Sequence, residues 1–501
     1  MKAILLGAAA LIAAIVSLPS ISAAQTRSGG GERTSVDLTI YNQNLSLIRE
    51  ERAFSLGKGL VRVVVPEIPA TIDGSSVHFL SLTNPDGVRV LEQNYQYDLV
   101  NQAKLLARYL GQDVEFVRTD PATNHEYTVT GKLLATGYAP QAGYGSTYGY
   151  TGGMIAEIGG KIEINPTGRL ILGSLPGGLV LRPQLEWLVS SDKEENNRAE
   201  VSYLAGGLSW TCNYVVLLDK TDTAVDLTGW VSLTNQSGTT FRNAGLKLVA
   251  GDVNVVENEM LGMMKAQRAA AASDAAAPQF RQTDLFEFKL YALQRRTDVA
   301  DNETKQIELT SGQDIPARKV FIYDGLGDQW RSWFNNYSYR SQSSFGQQSN
   351  PKIGVFVTFK NAEKDGLGIP LPKGKVRVYK RDDEGKEQFI GEDMIDHTPK
   401  DEELRLYLGN AFDLVGERVQ KDFRSFANGR VVEESIEIKV RNHKSEPVDV
   451  QVYEHPWRWS QWEIVSSSQE HSKVDQTTIR FPLHIAGDGE SIVHYTIRYS
   501  W

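Results

Sequence analysis

Cysteine is almost absent from this chain: Cys212 is the only one in 501 residues. One thiol cannot close an intramolecular disulfide, and no thiolate metal cluster can be built around it. Its place in the alternating stretch GLSWTCNYVVLLD reads as a small buried hydrophobe in preference to a nucleophile. No cysteine marks the end of the N-terminal apolar run, which argues against a lipid anchor. Beyond that run no stretch is apolar and long enough for a membrane-spanning helix, which needs about 20 residues. Basic charge is also short, with 53 Lys and Arg against 62 Asp and Glu. The clustered cations that bind phosphate backbones are missing, so nucleic acid is not an expected partner. Catalytic signatures are missing too. GYGSTYG places Tyr144 two before Ser146 where a nucleophile elbow needs Gly, and His125-Glu126 is followed by Tyr127, Thr128 and Val129 with no second histidine. There is no phosphate loop or EF-hand loop. No catalytic residue, metal ligand set or cofactor is assigned.

What is present begins with a secretory signal pattern: Lys2, an apolar run from Ala3 to Leu18, and small residues around Ser22, Ala23 and Ala24. Cleavage after Ala24 would remove Lys2 and take the formal charge from −9 to −10. The chain is too long for one ordinary core, so two to four domains are expected. Short alternating apolar and polar runs then recur almost everywhere, among them VDLTIYNQNLSLIRE, LVRVVVPEI, EYTVTGKLLATG, SIEIKVRN, VDVQVYEH and SIVHYTIRYSW. Most stop at Gly, Pro or Asn, as half-buried antiparallel strands do. The expected fold is mainly β, with several antiparallel β-sandwich or small-barrel domains.

Two passages read as helical. DLVNQAKLLARYLG has Asp98 as N-cap, an apolar side at Leu99, Leu105, Leu106, Tyr109 and Leu110, and Gly111 as a stop, giving one short helix near 98–110. The Ala-rich stretch near 258–277 reads as a helix or a mobile arm. Two stretches, GYAPQAGYGSTYGYTGG and DGLGDQWRSWFNNYSYRSQSSFGQQSN, have no hydrophobic period and are placed on the surface or in disorder. These shifts give a signal peptide over 1–24, a β region over 25–97, and a short helix with a compact β region over 98–191. A β-sandwich region with the Ala-rich insertion follows over 192–330, then a flexible loop over 331–350 and a C-terminal β-sandwich region over 351–501.

Chemistry-bearing residues concentrate late. Five of the eight histidines, His443, His455, His471, His484 and His494, fall in the last sixty residues, with Glu454 beside His455 and Glu470 beside His471. Adjacent strand residues point to opposite faces, so Glu454 and His455 are poorly placed to share one ion. Asp382, Asp383 and Glu384 beside Gly385 read as a solvated hairpin turn. They do not form the opposed carboxylates, about 5 to 9 Å apart, of a glycosidase. The final strand alternates Val493, Tyr495, Ile497, Tyr499 and Trp501 on one face, as either a sandwich strand or a membrane-barrel strand would. The densest feature is YEHPWRWSQWEIV, which holds three of the nine tryptophans. Val448, Val450 and Val452 alternate in a strand that Pro456 ends, and WEIV begins another, so PWRWSQ reads as a hairpin connection. Trp457, Arg458, Trp459 and Trp462 are the candidate ligand-contacting residues. The competing reading folds these rings back as a lid over the core, and that is the reading favoured.

Several phrases together, IYNQNLSLIRE, NYQYDLVNQAKLLARYLG, VSYLAGGLSWTCNYVVLLD, LKLVAGDVN, GLGIPLPKGKVRVYKRD, IDHTPKDEELRLYLGNAFDLVGER and EHPWRWSQWEIV, resemble a bacterial family of exported proteins of unknown function. That family is related to the C-terminal domain of the mucoidy inhibitor A proteins. The resemblance covers most of the mature chain and implies a β-sandwich-rich envelope protein without an assigned reaction. The long coiled-coil insertion of the mucoidy inhibitor relatives has no counterpart here, and no catalytic residue is carried over. The expectation is an exported protein, periplasmic or extracellular, that acts by binding or as a scaffold on an envelope protein or glycan, without requiring membrane association. The alternatives are an envelope glycan or peptide hydrolase and an outer-membrane β-barrel.

Overall fold

The computed structural model describes residues 26–28, 31–140, 148–150, 152–251, 279–344 and 349–501. The expected signal peptide over 1–24, the Ala-rich stretch over 258–277 and part of the Gly and Tyr loop lie outside these residues. Strand accounts for 62% and helix for 5%, so the protein is mainly β, and its sheets are open where small barrels were also expected. The chain divides into two compact units, Met1–Val36 with Ile48–Leu204 and Asp37–Leu47 with Ala205–Trp501.

In the first unit the strands Gly59–Pro66, Gln184–Ser191 and Val88–Gln96 pair antiparallel in that order. The register sets Val61, Val63 and Val65 opposite Val189, Trp187 and Leu185, and all six are buried. The two-residue period read from the sequence is therefore the period of burial. Nearby, the carboxylate of Glu50 accepts Nε of Arg52 at 2.7 Å and the hydroxyl of Tyr203 at 3.1 Å, with Arg33 at 2.9 Å. A buried charge is tolerable because each lone pair is met.

A five-stranded antiparallel sheet follows, built from Lys161–Ile164, Ile155–Ile158, Glu126–Ala135, Asp113–Thr119 and Arg169–Ile171 in that order. The one helix of more than a single turn among the described residues, Gln102–Arg108, packs Leu106 and the following Tyr109 against Val114, Phe116, Leu133 and Ala156 of this sheet. Its N-cap is Asn101, whose side chain accepts the Lys104 amide, and not the expected Asp98. Asp98 instead pairs with Lys104 at 2.7 Å. The helix thus starts one turn later than its charge pattern implies, because the backbone at Leu99 is bridged to Val180.

The second unit is dominated by long paired strands. Leu208–Leu218, Ala224–Asn235, Glu303–Asp324, Lys352–Lys360, Glu403–Phe426, Val431–Asn442, Glu490–Ser500 and Trp462–Ser467 are successive neighbours. In Leu208–Leu218 the buried face carries Trp210, Cys212, Tyr214 and Val216, so the lone cysteine is a core residue. Gly374–Arg381 and Glu387–Ile395 form a hairpin whose turn holds Asp382, its Oδ1 accepting the amides of Glu384 and Lys386 at 3.0 and 2.9 Å. This is the solvated turn expected from the acidic run.

The last residues of Glu303–Asp324 pair with Lys352–Lys360 and, in parallel, with Val448–Glu454, which also pairs with Thr478–Ile485. Trp462–Ser467 pairs with Glu490–Ser500 instead. The expected hairpin across PWRWSQ is therefore not formed: the connection passes from one set of paired strands to another. Val448, Val450 and Val452 do face inward, and they meet Val432, Ile436, Ile438, Val440, Phe481, Tyr495 and Tyr499 in one core. Phe481 and Tyr495 meet as tilted rings with centroids 5.3 Å apart, joining the two sets. Gly416 is required in this core, since a Cβ there would meet the buried Tyr323 ring at 2.0 Å.

Candidate functional site: an aromatic and cationic patch on a buried ionic base

The site starts where the strand Glu303–Asp324 ends. Oδ1 of Asp324 accepts the amides of Leu326 and Gly327 at 3.0 and 2.9 Å, an Asx turn, and Gly327 takes φ +58°. The turn leads into a short 3₁₀ segment, Gly327–Gln329, and one helical turn, Trp330–Trp333. Leu326 and Trp330 pack against Trp457, with Trp333, Phe334 and Tyr339 around them. The polar stretch without a hydrophobic period is thus folded down over a tryptophan some 130 residues further along the chain. Its order comes from anchors and not from amphipathic period.

The main anchor is Arg458, which is fully buried. Its Nη1 donates to the carbonyls of Tyr339, Arg340 and Gln342 at 3.1, 3.2 and 2.9 Å, and its Nη2 donates to Glu434 at 2.7 Å. One guanidinium therefore gathers the turn at 339–342 and ties it to a strand carboxylate. Only arginine offers enough donors in a fixed fork for this. The amide of Asn335 adds a bond to the Trp457 carbonyl at 3.1 Å.

His455 lies beside this anchor. Nδ1 is 3.0 Å from the Thr477 carbonyl, Nε2 is 3.3 Å from Oδ2 of Asp324, and Trp330 stacks on the ring at 4.3 Å and 10°. A carbonyl and a carboxylate can only accept, so the imidazolium form, with both ring nitrogens donating, is the one this site favours. Burial works against that charge, but the Asp324 hydrogen bond and charge outweigh it and raise the His455 pKa above its ordinary value. With both nitrogens engaged, His455 has no position from which to activate a hydroxyl. Glu454, its neighbour, points the other way into the core, where it accepts Arg418 and the Tyr495 hydroxyl. Among the described residues no group of three or more His, Cys, Asp or Glu is placed to hold a metal ion.

Beside this base lies a partly exposed patch. The Arg340 guanidinium sits 3.6 Å from the Tyr337 ring centroid, 4.5 Å from Trp501 and 5.0 Å from Trp459. Tyr337 and Trp459 meet edge to face at 5.5 Å, and Trp459 and Trp501 at 6.3 Å. Tyr337 is 69% exposed, and Trp459 and Trp501 are half-buried. Among the described residues Nη1 of Arg340 has no hydrogen-bond partner, and the ring faces are its main electrostatic neighbours there.

The four tryptophan-region candidates thus have separate places. Trp457 and Arg458 are buried supports, Trp459 belongs to the patch, and Trp462 lies apart, with Nε1 donating to the Gln476 carbonyl at 2.9 Å and Lys473 over its ring at 4.7 Å. Nothing in the sequence links Tyr337, Arg340 and Trp501 to Trp459. The available signal was the density of aromatics and arginines in the stretch from Trp330 to Arg340.

Fold and site together define a class: a mainly β, sandwich-like chain carrying an aromatic and cationic patch on buried ion pairs. The chain matches no model of a known protein family and no curated protein.

Proposed function

We propose that this is an exported protein of a bacterial envelope that acts by binding, or as a scaffold, through the patch formed by Tyr337, Arg340, Trp459 and Trp501. The observation that carries the reading is the Arg340 guanidinium among three partly exposed rings. Tyr, Trp and Arg are the residues that dominate binding energy at interfaces, and their flat faces also stack on sugar rings. The patch is preorganised, because Arg458 fixes the backbone carbonyls of Arg340 and its neighbours, so little ordering cost remains to be met on binding. The N-terminal signal pattern and the resemblance to exported envelope proteins supply the compartment. The partner class is an envelope protein or glycan.

The test uses the full mature chain and a Tyr337→Ala/Trp459→Ala variant. Mature protein should begin near Ala24 or Gln25 and be released by osmotic shock. Wild type should co-sediment with isolated envelope material, and the variant should fold but lose at least about tenfold in apparent affinity. Equal sedimentation of a folded variant would overturn the assignment of the patch.

A further inference from the structure

A second site lies elsewhere in the same unit. In the strand Glu303–Asp324, Trp230 pairs with Glu308 and Gly229 with Thr310, so Leu309 is an extra residue and the strand is bulged there. Bulges re-aim side chains and occur next to functional sites. Here the bulge adjoins Glu308, which is only 8% exposed and lines a cleft of about 250 Å³. Its carboxylate has no hydrogen-bond or ion-pair partner among the described residues. A buried carboxylate without a partner is costly. The other buried glutamates are met by donors, Glu50 by Arg52 and Glu454 by Arg418. Among the buried glutamates of the described residues, Glu308 is the exception.

We infer that the Glu308 cleft is a binding site for a small organic ammonium group. A carboxylate is complemented by a cation, and among the described lining residues there is neither lysine nor arginine. A divalent metal needs several oxygen ligands of fixed geometry, and the lining offers one carboxylate. The remaining walls suit an ammonium carbon shell. Phe280 and Tyr291 supply aromatic rings, and the Tyr291 ring is held by its hydroxyl, which donates to the Pro370 carbonyl at 2.8 Å. Thr310 and Ser311 add hydroxyls at the wall, and Gln282, whose amide donates to Asp284 at 3.3 Å, keeps its carbonyl oxygen as an acceptor. The volume lies below the roughly 300 to 1,000 Å³ of drug-sized pockets, so the ligand is an amine of a few carbons or the end of a longer one.

Calorimetric titration of the full chain with butylammonium and with tetramethylammonium chloride, at constant ionic strength, tests this, with sodium butyrate as the control. Ammonium ions should bind saturably and butyrate should not. Glu308→Gln should weaken ammonium binding at least about tenfold while leaving Tm unchanged or raised, since an unpaired buried charge is removed. Ser311→Trp, which keeps Glu308 and fills the rim, should also abolish binding. Absence of saturable binding, equal binding by butyrate, or a folded Glu308→Gln protein that binds ammonium as wild type does would overturn the site.

Discussion

Nε of Arg418 donates to both carboxylate oxygens of Glu454, at 2.9 and 3.0 Å, and both side chains are almost wholly buried. The Tyr495 hydroxyl donates to the same carboxylate, so the pair is satisfied on a second side. Such a pair adds little net stability over an apolar isostere, but halving it strands a charge in the core. Glu454→Ala should therefore destabilise folding by about 3–5 kcal/mol, whereas Glu454→Leu with Arg418→Met should recover much of that loss. Urea unfolding of both variants reads the difference. A double variant as unstable as the single would mean the carboxylate matters for something other than Arg418.

Trp457 and Trp459 are separated by one residue and differ in burial: the first is 2% exposed, the second half-buried. Trp457→Ala should cost about 3–5 kcal/mol, as large-to-small changes in a closed core do. It should also loosen the Trp330–Trp333 turn, visible as faster amide exchange there. Trp459→Ala should cost clearly less. Comparable losses in chemical denaturation would show that the two rings share one packing role.

The His455–Asp324 pair gives a pH dependence of known sign. The folded-state pKa of His455 is raised, by Asp324 against the opposing effect of burial. Its contribution is thus complete below the unfolded value of about 6.5 and is lost as pH rises through the folded pKa. Deprotonation leaves one ring nitrogen facing an acceptor. The Tm gap between wild type and His455→Gln should be widest in mild acid and narrow on going alkaline. A gap that widened with rising pH would reverse the assignment.

Burial pushes the Cys212 thiol up to about 12, despite hydrogen bonding with Tyr214 and the Asn213 backbone that favours the thiolate. The native thiol should react with a maleimide or a disulfide reagent only after unfolding. Reductant should leave the melting temperature of the monomer unchanged. Rapid labelling of the folded chain would place Cys212 outside the core.

Local rules determined much of this protein from sequence alone. Val448, Val450 and Val452 are inward because a strand has a two-residue period, Asp382 makes a turn because its carboxylate reaches the amides ahead of it, and Cys212 is buried because it shares a face with Trp210 and Tyr214. The short helix was legible by its apolar side, though its cap fell to Asn101. The tertiary structure decided everything that depends on distant residues meeting. Period says which face Val448–Glu454 buries, but not that its neighbours are Phe321–Asp324 and Thr478–Ile485, because strand pairing is set by packing over long sequence separations. PWRWSQ has no period, so only the tertiary contacts could send Arg458 inward to the carbonyls of 339–342 and leave Trp459 beside Arg340 and Trp501. Glu308 reads as one polar residue in an ordinary strand, and only the fold encloses its carboxylate in a cleft where no described residue partners it.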